Sequence, residues 1–137
     1  MRKSILLMVA MMMASMTLSA KNDKLQYVAT WTTAIQKVEP HNLAPAPYLS
    51  GNSLRQIVEV SFGGKEVALK LSNEFNTEET EILGVELAEA ESQGAKSGII
   101  GKSTPLTFKG QRGVTMKPGE VIVSDLVPFK MKPRMNV

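Results

Sequence analysis

Ser53-Leu54-Arg55-Gln56-Ile57-Val58-Glu59-Val60-Ser61-Phe62-Gly63-Gly64-Lys65-Glu66-Val67-Ala68-Leu69-Lys70-Leu71-Ser72 is the stretch whose reading decides the fold. Apolar residues alternate on both sides of Gly63-Gly64, the period of a half-buried strand, and a Gly pair supplies the positive φ angles of a two-residue hairpin turn. With Phe62 opposite Lys65, one face carries Val60 with Val67, Val58 with Leu69 and Gln56 with Leu71. The other carries Ser61 with Glu66, Glu59 with Ala68 and Ile57 with Lys70. The first face is apolar and the second largely polar, and a slip of one residue would mix them. The expectation is a hairpin over this stretch, with Gln56 as a polar residue in an apolar row that needs a partner.

The strand pattern continues in both directions. Upstream, Leu25 to Ile35 places Tyr27, Ala29 and Trp31 on one parity and Val28, Thr30 and Thr32 on the other. Val38 to Asn52 carries Pro40, Pro45 and Pro47 with Gly51 beyond them, a surface crossover that suits neither helix nor central strand. Downstream, Ile82 to Ala90 alternates through Leu83, Val85 and Leu87, Gln93 to Lys102 reads as loop, and Pro105 to Phe108 and Val114 to Met116 read as short strands. Lys117-Pro118-Gly119 suits a type II turn, which splays a tight hairpin and so predicts a corner between sheets. Val121, Val123 and Val127 mark one more strand, and Phe129 to Val137 reads as leading to an open edge. About seven short strands with no helical pattern predict an all-β, antiparallel β-sandwich or jelly-roll-like module, incomplete at its C-terminal edge.

Of the 137 residues, positions 1–20 read as a signal peptide: Arg2 and Lys3 precede an apolar run that closes at Leu18-Ser19-Ala20. Ser15, Thr17 and Ser19 interrupt that run, which makes it short for a membrane span. The expectation is export with cleavage, a secreted or periplasmic location, and a single β-sandwich domain over 21–137. Loss of Arg2 and Lys3 takes the formal charge from +3 to +1, a near-neutral balance that does not call for nucleic acid. No later segment approaches spanning length, so no membrane association is expected after cleavage. Zero Cys removes disulfides, thiolate catalysis and Cys-based metal sites.

Catalytic chemistry finds little to work with. A serine hydrolase needs a nucleophile, a base and an orienting acid, and the one imidazole, His41, sits in the Pro-rich crossover. Asp23 lies in the polar lead and Asp125 inside the last apolar run. Ser50-Gly51-Asn52-Ser53 is not followed by the helix of a nucleophile elbow, and a plain turn explains it. Glu78, Glu79 and Glu81 read as a solvated turn rather than a carboxylate pair for glycoside hydrolysis. One His and no Cys leave no metal-ligand pattern, and no Gly-rich phosphate loop is present, so no cofactor is expected. Tyr48 and Trp31 are the side chains that could stack on a sugar, although as the sole Trp, Trp31 is expected to anchor the core.

Tyr27-Val28-Ala29-Thr30-Trp31, Val38-Glu39-Pro40, the run Leu49 to Val58, Leu71-Ser72-Asn73-Glu74-Phe75, Leu106-Thr107-Phe108, Val114 to Gly119, Val123-Ser124-Asp125 and Lys132-Pro133-Arg134-Met135 stand in an order and spacing that carries a resemblance. Together they resemble the N-terminal β-rich region of secreted GDSL/SGNH-type hydrolases, over nearly all of 21–137. The resemblance implies an α/β catalytic domain following this region, with hydrolysis of acetyl or other acyl esters. The family's Gly-Asp-Ser nucleophile motif and Asp-x-x-His block do not occur in this sequence, where no Gly precedes an Asp and Val38 stands three residues before His41. The expectation is therefore a non-catalytic accessory portion, read as truncated before the catalytic domain, whose partner is that missing domain and which is inactive alone. Arg55, Gln56, Asn73 and Glu74 are expected to form a polar cluster that braces the sandwich or meets the catalytic domain. The alternative is a free-standing secreted carbohydrate-binding or interaction module, with carbohydrate as its partner.

Overall fold

The computed structural model of the chain describes residues 26–46, 48–94 and 96–137, so the signal-peptide reading of 1–20, Asp23, Leu25 and Pro47 lie outside the described residues. Eight strands follow one another: β1 (Gly64–Val67), β2 (Lys70–Ser72), β3 (Thr80–Ile82), β4 (Val85–Ala90), β5 (Ile99–Leu106), β6 (Val114–Met116), β7 (Val121–Val123) and β8 (Val127–Met131). All pairings are antiparallel and nested: β4 with β5 at the centre, then β3 with β6, β2 with β7 and β1 with β8. The chain runs out along one arm, turns at 91–98 and returns along the other. This is the order in which a jelly roll is wound, and it makes the module all-β and antiparallel, without barrel closure.

The expected hairpin at Gly63-Gly64 does not form. Its apolar alternation does mark inward faces, since Val60 is buried and Val58, Val67, Leu69 and Leu71 are half-buried, while Gln56 is exposed. Each inward residue, however, takes a partner from the returning arm: Val67 faces Val127 and Leu71 faces Ile122. Val58 exchanges both hydrogen bonds with Val137 (2.8 and 2.9 Å), and Val60 bonds to Met135 and Arg134 (2.9 and 2.7 Å). Alternation specifies which face is buried and leaves the pairing partner open. Gly63 serves close approach instead of a turn, since a Cβ there would stand 2.7 Å from the Met131 carbonyl oxygen, and neither Gly63 nor Gly64 takes a positive φ.

Ile82 to Ala90 is strand-like as expected, but it divides at Leu83-Gly84, where the pairing passes from β6 to β5. The expected loop at Gln93 to Lys102 is shorter, because Ile99 begins β5 and Gly101, at φ 75°, makes the bulge between the Leu87 and Glu89 registers. The predicted corner at Lys117-Pro118-Gly119 is present. Glu120 N–H donates to the Lys117 carbonyl (3.1 Å) and Gly119 has φ 76°, a type II turn joining two strands that pair with different partners. The last apolar run is two strands, broken at 124–126. The final residues do not hang free, since Ala90 N–H donates to the Asn136 carbonyl (2.9 Å) on the side away from Val58 and Val60.

The Leu25 to Ile35 strand expectation is corrected: residues 26–39 hold no strand, and Tyr27, Val28, Trp31 and Ile35 are exposed. Pro40–Asn42 forms one 3₁₀ turn. The buried apolar side chains are Val60, Ala90, Leu106, Phe108, Met116 and Met131, drawn from both arms of the ladder. Among the described residues no helix is long and apolar enough to cross a membrane.

Candidate functional site

A nested ladder has a weak point wherever a strand changes partner, because backbone groups there lose their ladder bonds and need others. Each such joint is closed by a polar side chain. Asn73, only 6% exposed, follows β2. Its Nδ2 donates to the carbonyls of Glu78 (3.0 Å), Met116 (3.2 Å) and Lys117 (3.1 Å), and its Oδ1 accepts from Thr80 Oγ1 (2.9 Å). Its own N–H donates to Glu120 O (2.7 Å) and its carbonyl accepts from Gly119 N–H (2.9 Å), so one residue clamps the Pro118-Gly119 turn to the opposite arm.

Ser124, also buried, closes the joint between β1 and β2. Its Oγ accepts from Leu69 N–H (2.9 Å) and donates to the Asp125 carbonyl (3.0 Å). Asp125 closes the next one. Phe108 and Gln111 exchange backbone bonds (2.8 and 3.0 Å) around Lys109 and Gly110, whose φ angles of 51° and 78° define a type I′ turn. The Asp125 carboxylate accepts from Thr107 Oγ1 (2.6 Å), Gly110 N–H (2.8 Å) and Lys109 N–H (3.0 Å). Those bonds, the one from Thr107 foremost, hold its pKa below the ordinary carboxylate value against a smaller opposing effect of desolvation.

The expected cluster of Arg55, Gln56, Asn73 and Glu74 rested on the hairpin register, and the structure does not bring the four together. Arg55 Nη2 donates to the Ser97 carbonyl (2.7 Å) at the tip of the β4–β5 hairpin, and Gln56 is exposed. Glu74 accepts from Ser72 Oγ (2.8 Å), next to Asn73 but turned outward. A second polar set ties that tip to Glu59 on the outgoing arm and to Arg134 on the returning one. Glu59 accepts from Gln93 Nε2 (3.4 Å) and pairs with Arg134 (3.6 Å).

His41 is exposed and its Nδ1 lies 3.8 Å from Glu39 Oε2, with no serine hydroxyl bonded to it among the described residues. Glu78, Glu79 and Glu81 are exposed, Glu81 opposite Thr115 in the ladder. No three His, Cys, Asp or Glu side chains converge among the described residues. Trp31, expected to anchor the core, is 45% exposed, and Tyr48 is exposed in a turn closed by its N–H to the Pro45 carbonyl (2.8 Å). The sequence reading missed Ser97, the joint-closing role of Ser124, which it quoted only within the Val123-Ser124-Asp125 resemblance, and the turn at Lys109-Gly110. The turn had a local signal in a Gly at the second position of a two-residue loop. The serines had none, since their value comes from partners 55 residues away for Ser124 and 42 for Ser97.

No protein-family model matches the sequence, and no curated protein is similar to it.

Proposed function

We propose that this chain is the N-terminal, non-catalytic portion of a secreted SGNH/GDSL-type ester hydrolase, with acyl or acetyl ester hydrolysis belonging to a catalytic domain elsewhere in the full enzyme. The observation that supports this reading is where the residues carrying the resemblance stand. Asn73, Thr107, Gly119, Ser124 and Asp125 are all engaged in closing ladder joints, through the bonds given above. Hydroxyls and carboxylates held by main-chain partners hold the scaffold in shape and are not arranged to attack a substrate. Ser124 illustrates the point: it stands beside an Asp, yet its hydroxyl is bonded to two backbone groups and has no imidazole within reach.

The test has two parts. The chain is assayed against an aryl acetate, where the expected result is no turnover that depends on Ser124 or any other serine. The source DNA is read past codon 137, where a Gly-Asp-Ser block in any frame supports the reading and unrelated sequence contradicts it. The alternative, a free-standing carbohydrate-binding or interaction module, draws support from the exposure of Trp31 and Tyr48.

A further inference from the structure

The two arms of the ladder differ in charge. From Glu74 to Glu91 there are seven Glu and no Lys or Arg, whereas residues 92–137 carry eight Lys and Arg against Glu120 and Asp125. Folding neutralises little of this. Among the described residues, the ion pairs made by Lys or Arg are Arg112 with Glu86 (2.7 Å) and Arg134 with Glu59 (3.6 Å). Glu74, Glu78, Glu79 and Glu81 are exposed and none of them takes part in an ion pair.

Unpaired cations gather where β1 begins and β8 ends. Gly64 faces Met131 and Glu66 faces Pro128, so Lys65 stands across the strand pair from Lys130. Lys132 follows at Gly63, where a Cβ would come within 3.3 Å of the Lys132 Cα. Lys65, Lys130 and Lys132 are exposed and make no ion pair among the described residues. Arg134 completes the set. Met135 N–H donates to the Lys132 carbonyl (3.2 Å), closing a turn with Pro133 second and Arg134 third, at φ 65°, the position where such turns favour glycine. An Arg in that strained backbone keeps its side chain 82% exposed. Four cations thus share one end of a strand pair with two acids, Glu66 and the Glu59 that pairs with Arg134.

We propose that this basic turn docks the Glu74–Glu81 loop of a second copy of the chain. Charge complementarity selects that occupant: the loop offers four carboxylates in eight residues, unpaired in the single copy as the lysines are. A formal charge of +3 on 137 residues leaves little net repulsion between copies. Exposed ion pairs alone hold little. Each segment also carries an exposed Phe, Phe62 next to Gly63 and Phe75 within the acidic loop, so the contact has apolar surface to bury as well. Arg and aromatic side chains are the residues that docking surfaces concentrate. The contact joins copies of this chain and does not rest on the hydrolase reading.

The test is sedimentation velocity of the chain over a range of concentrations. At about 0.01 M salt, where screening is weak, the average mass should rise with concentration to that of two copies or more, and at about 1 M salt it should return to one. Lys130→Glu with Lys132→Glu in one variant, and Glu78→Lys with Glu79→Lys in another, should each weaken the association about tenfold or more. An equimolar mixture of the two should recover it, because each variant supplies the charge that the other has lost. Lys102→Glu, an exposed lysine on β5, should leave it unchanged. All five positions are exposed, and circular dichroism confirms that each variant is folded. A chain that stays single at low salt would overturn the proposal, in favour of a polyanion if that chain is retained on immobilised heparin. Association that ignores salt, equal weakening by Lys102→Glu, or a mixture that fails to recover would overturn it too.

Discussion

Asn73→Ala gives the sharpest test of how the ladder is held at its joints. The side chain offers two N–H groups to three carbonyls at 3.0 to 3.2 Å and accepts one hydroxyl at 2.9 Å, so about three full hydrogen bonds disappear with it. At about 1 kcal/mol net for each bond, the loss is about 3 kcal/mol, with Glu78 and Lys117 able to turn their carbonyls to water and buried Met116 less so. A domain of this size carries about 5–15 kcal/mol in total. With a urea slope of about 1–1.5 kcal/mol/M, the midpoint should fall by about 2–3 M at unchanged slope. Asn73→Asp separates donor loss from lost packing. It keeps the acceptor for Thr80 but points a carboxylate oxygen at three carbonyls, so at pH 7 it should destabilise at least as much as Ala and recover in part on acidification. A shift within 0.5 kcal/mol for Asn73→Ala, on the order expected for an ordinary surface site, would refute the reasoning.

Other outcomes follow from the same joints. The folded pKa of Asp125 is depressed, so its stabilising contribution is complete above the unfolded value of about 3.9 and is lost as pH falls through the folded value. The wild-type urea midpoint should therefore drop more steeply below about pH 4 than that of Asp125→Asn, with Thr107→Val in between. Gly63→Ala should cost about 2 kcal/mol or more, because its Cβ meets backbone at 2.7 Å, whereas Gly119→Ala has open space and carries only the strain of φ 76°, about 1 kcal/mol; thermal melts showing the reverse order would contradict the pairing of β1 with β8. Leu106→Ala, at the one large side chain with no exposure among the described residues, should cost about 2–5 kcal/mol by urea titration. Trp31→Ala should leave stability within about 0.5 kcal/mol, since the ring lies outside the core.

The sequence revealed local facts and concealed distant ones. Alternation located inward residues of 57–72 and 114–116, and Pro118-Gly119 announced the corner, because both signals are written in adjacent residues. In 82–90 alternation placed Leu83 with Val85 and Leu87, yet Leu83 is 80% exposed where the ladder changes partner at Leu83-Gly84. Pairing was not legible: Val60, Val67 and Leu71 would satisfy the same pattern against one another or against residues some 50 to 75 positions later. Gly63-Gly64 misled because glycine serves close approach, as Gly63 does here, as well as turns. Trp31 misled because composition favours a lone Trp in the core, and the arm that carries it adds only Thr30 to the ladder. Of the residues singled out for a polar cluster, Asn73 does brace the module, but through the Pro118-Gly119 turn and not through Arg55.

The central claim is the nested ladder itself, and the absence of native Cys allows a clean test by engineered cross-links. Glu66 faces Pro128 across β1 and β8, whereas a Gly63-Gly64 hairpin would place Glu66 opposite Ser61. The account predicts that Glu66→Cys with Pro128→Cys oxidises readily to an intramolecular disulfide, while Glu66→Cys with Ser61→Cys remains reduced under the same conditions. Efficient closure of the second pair, with the first left as free thiols, would contradict it.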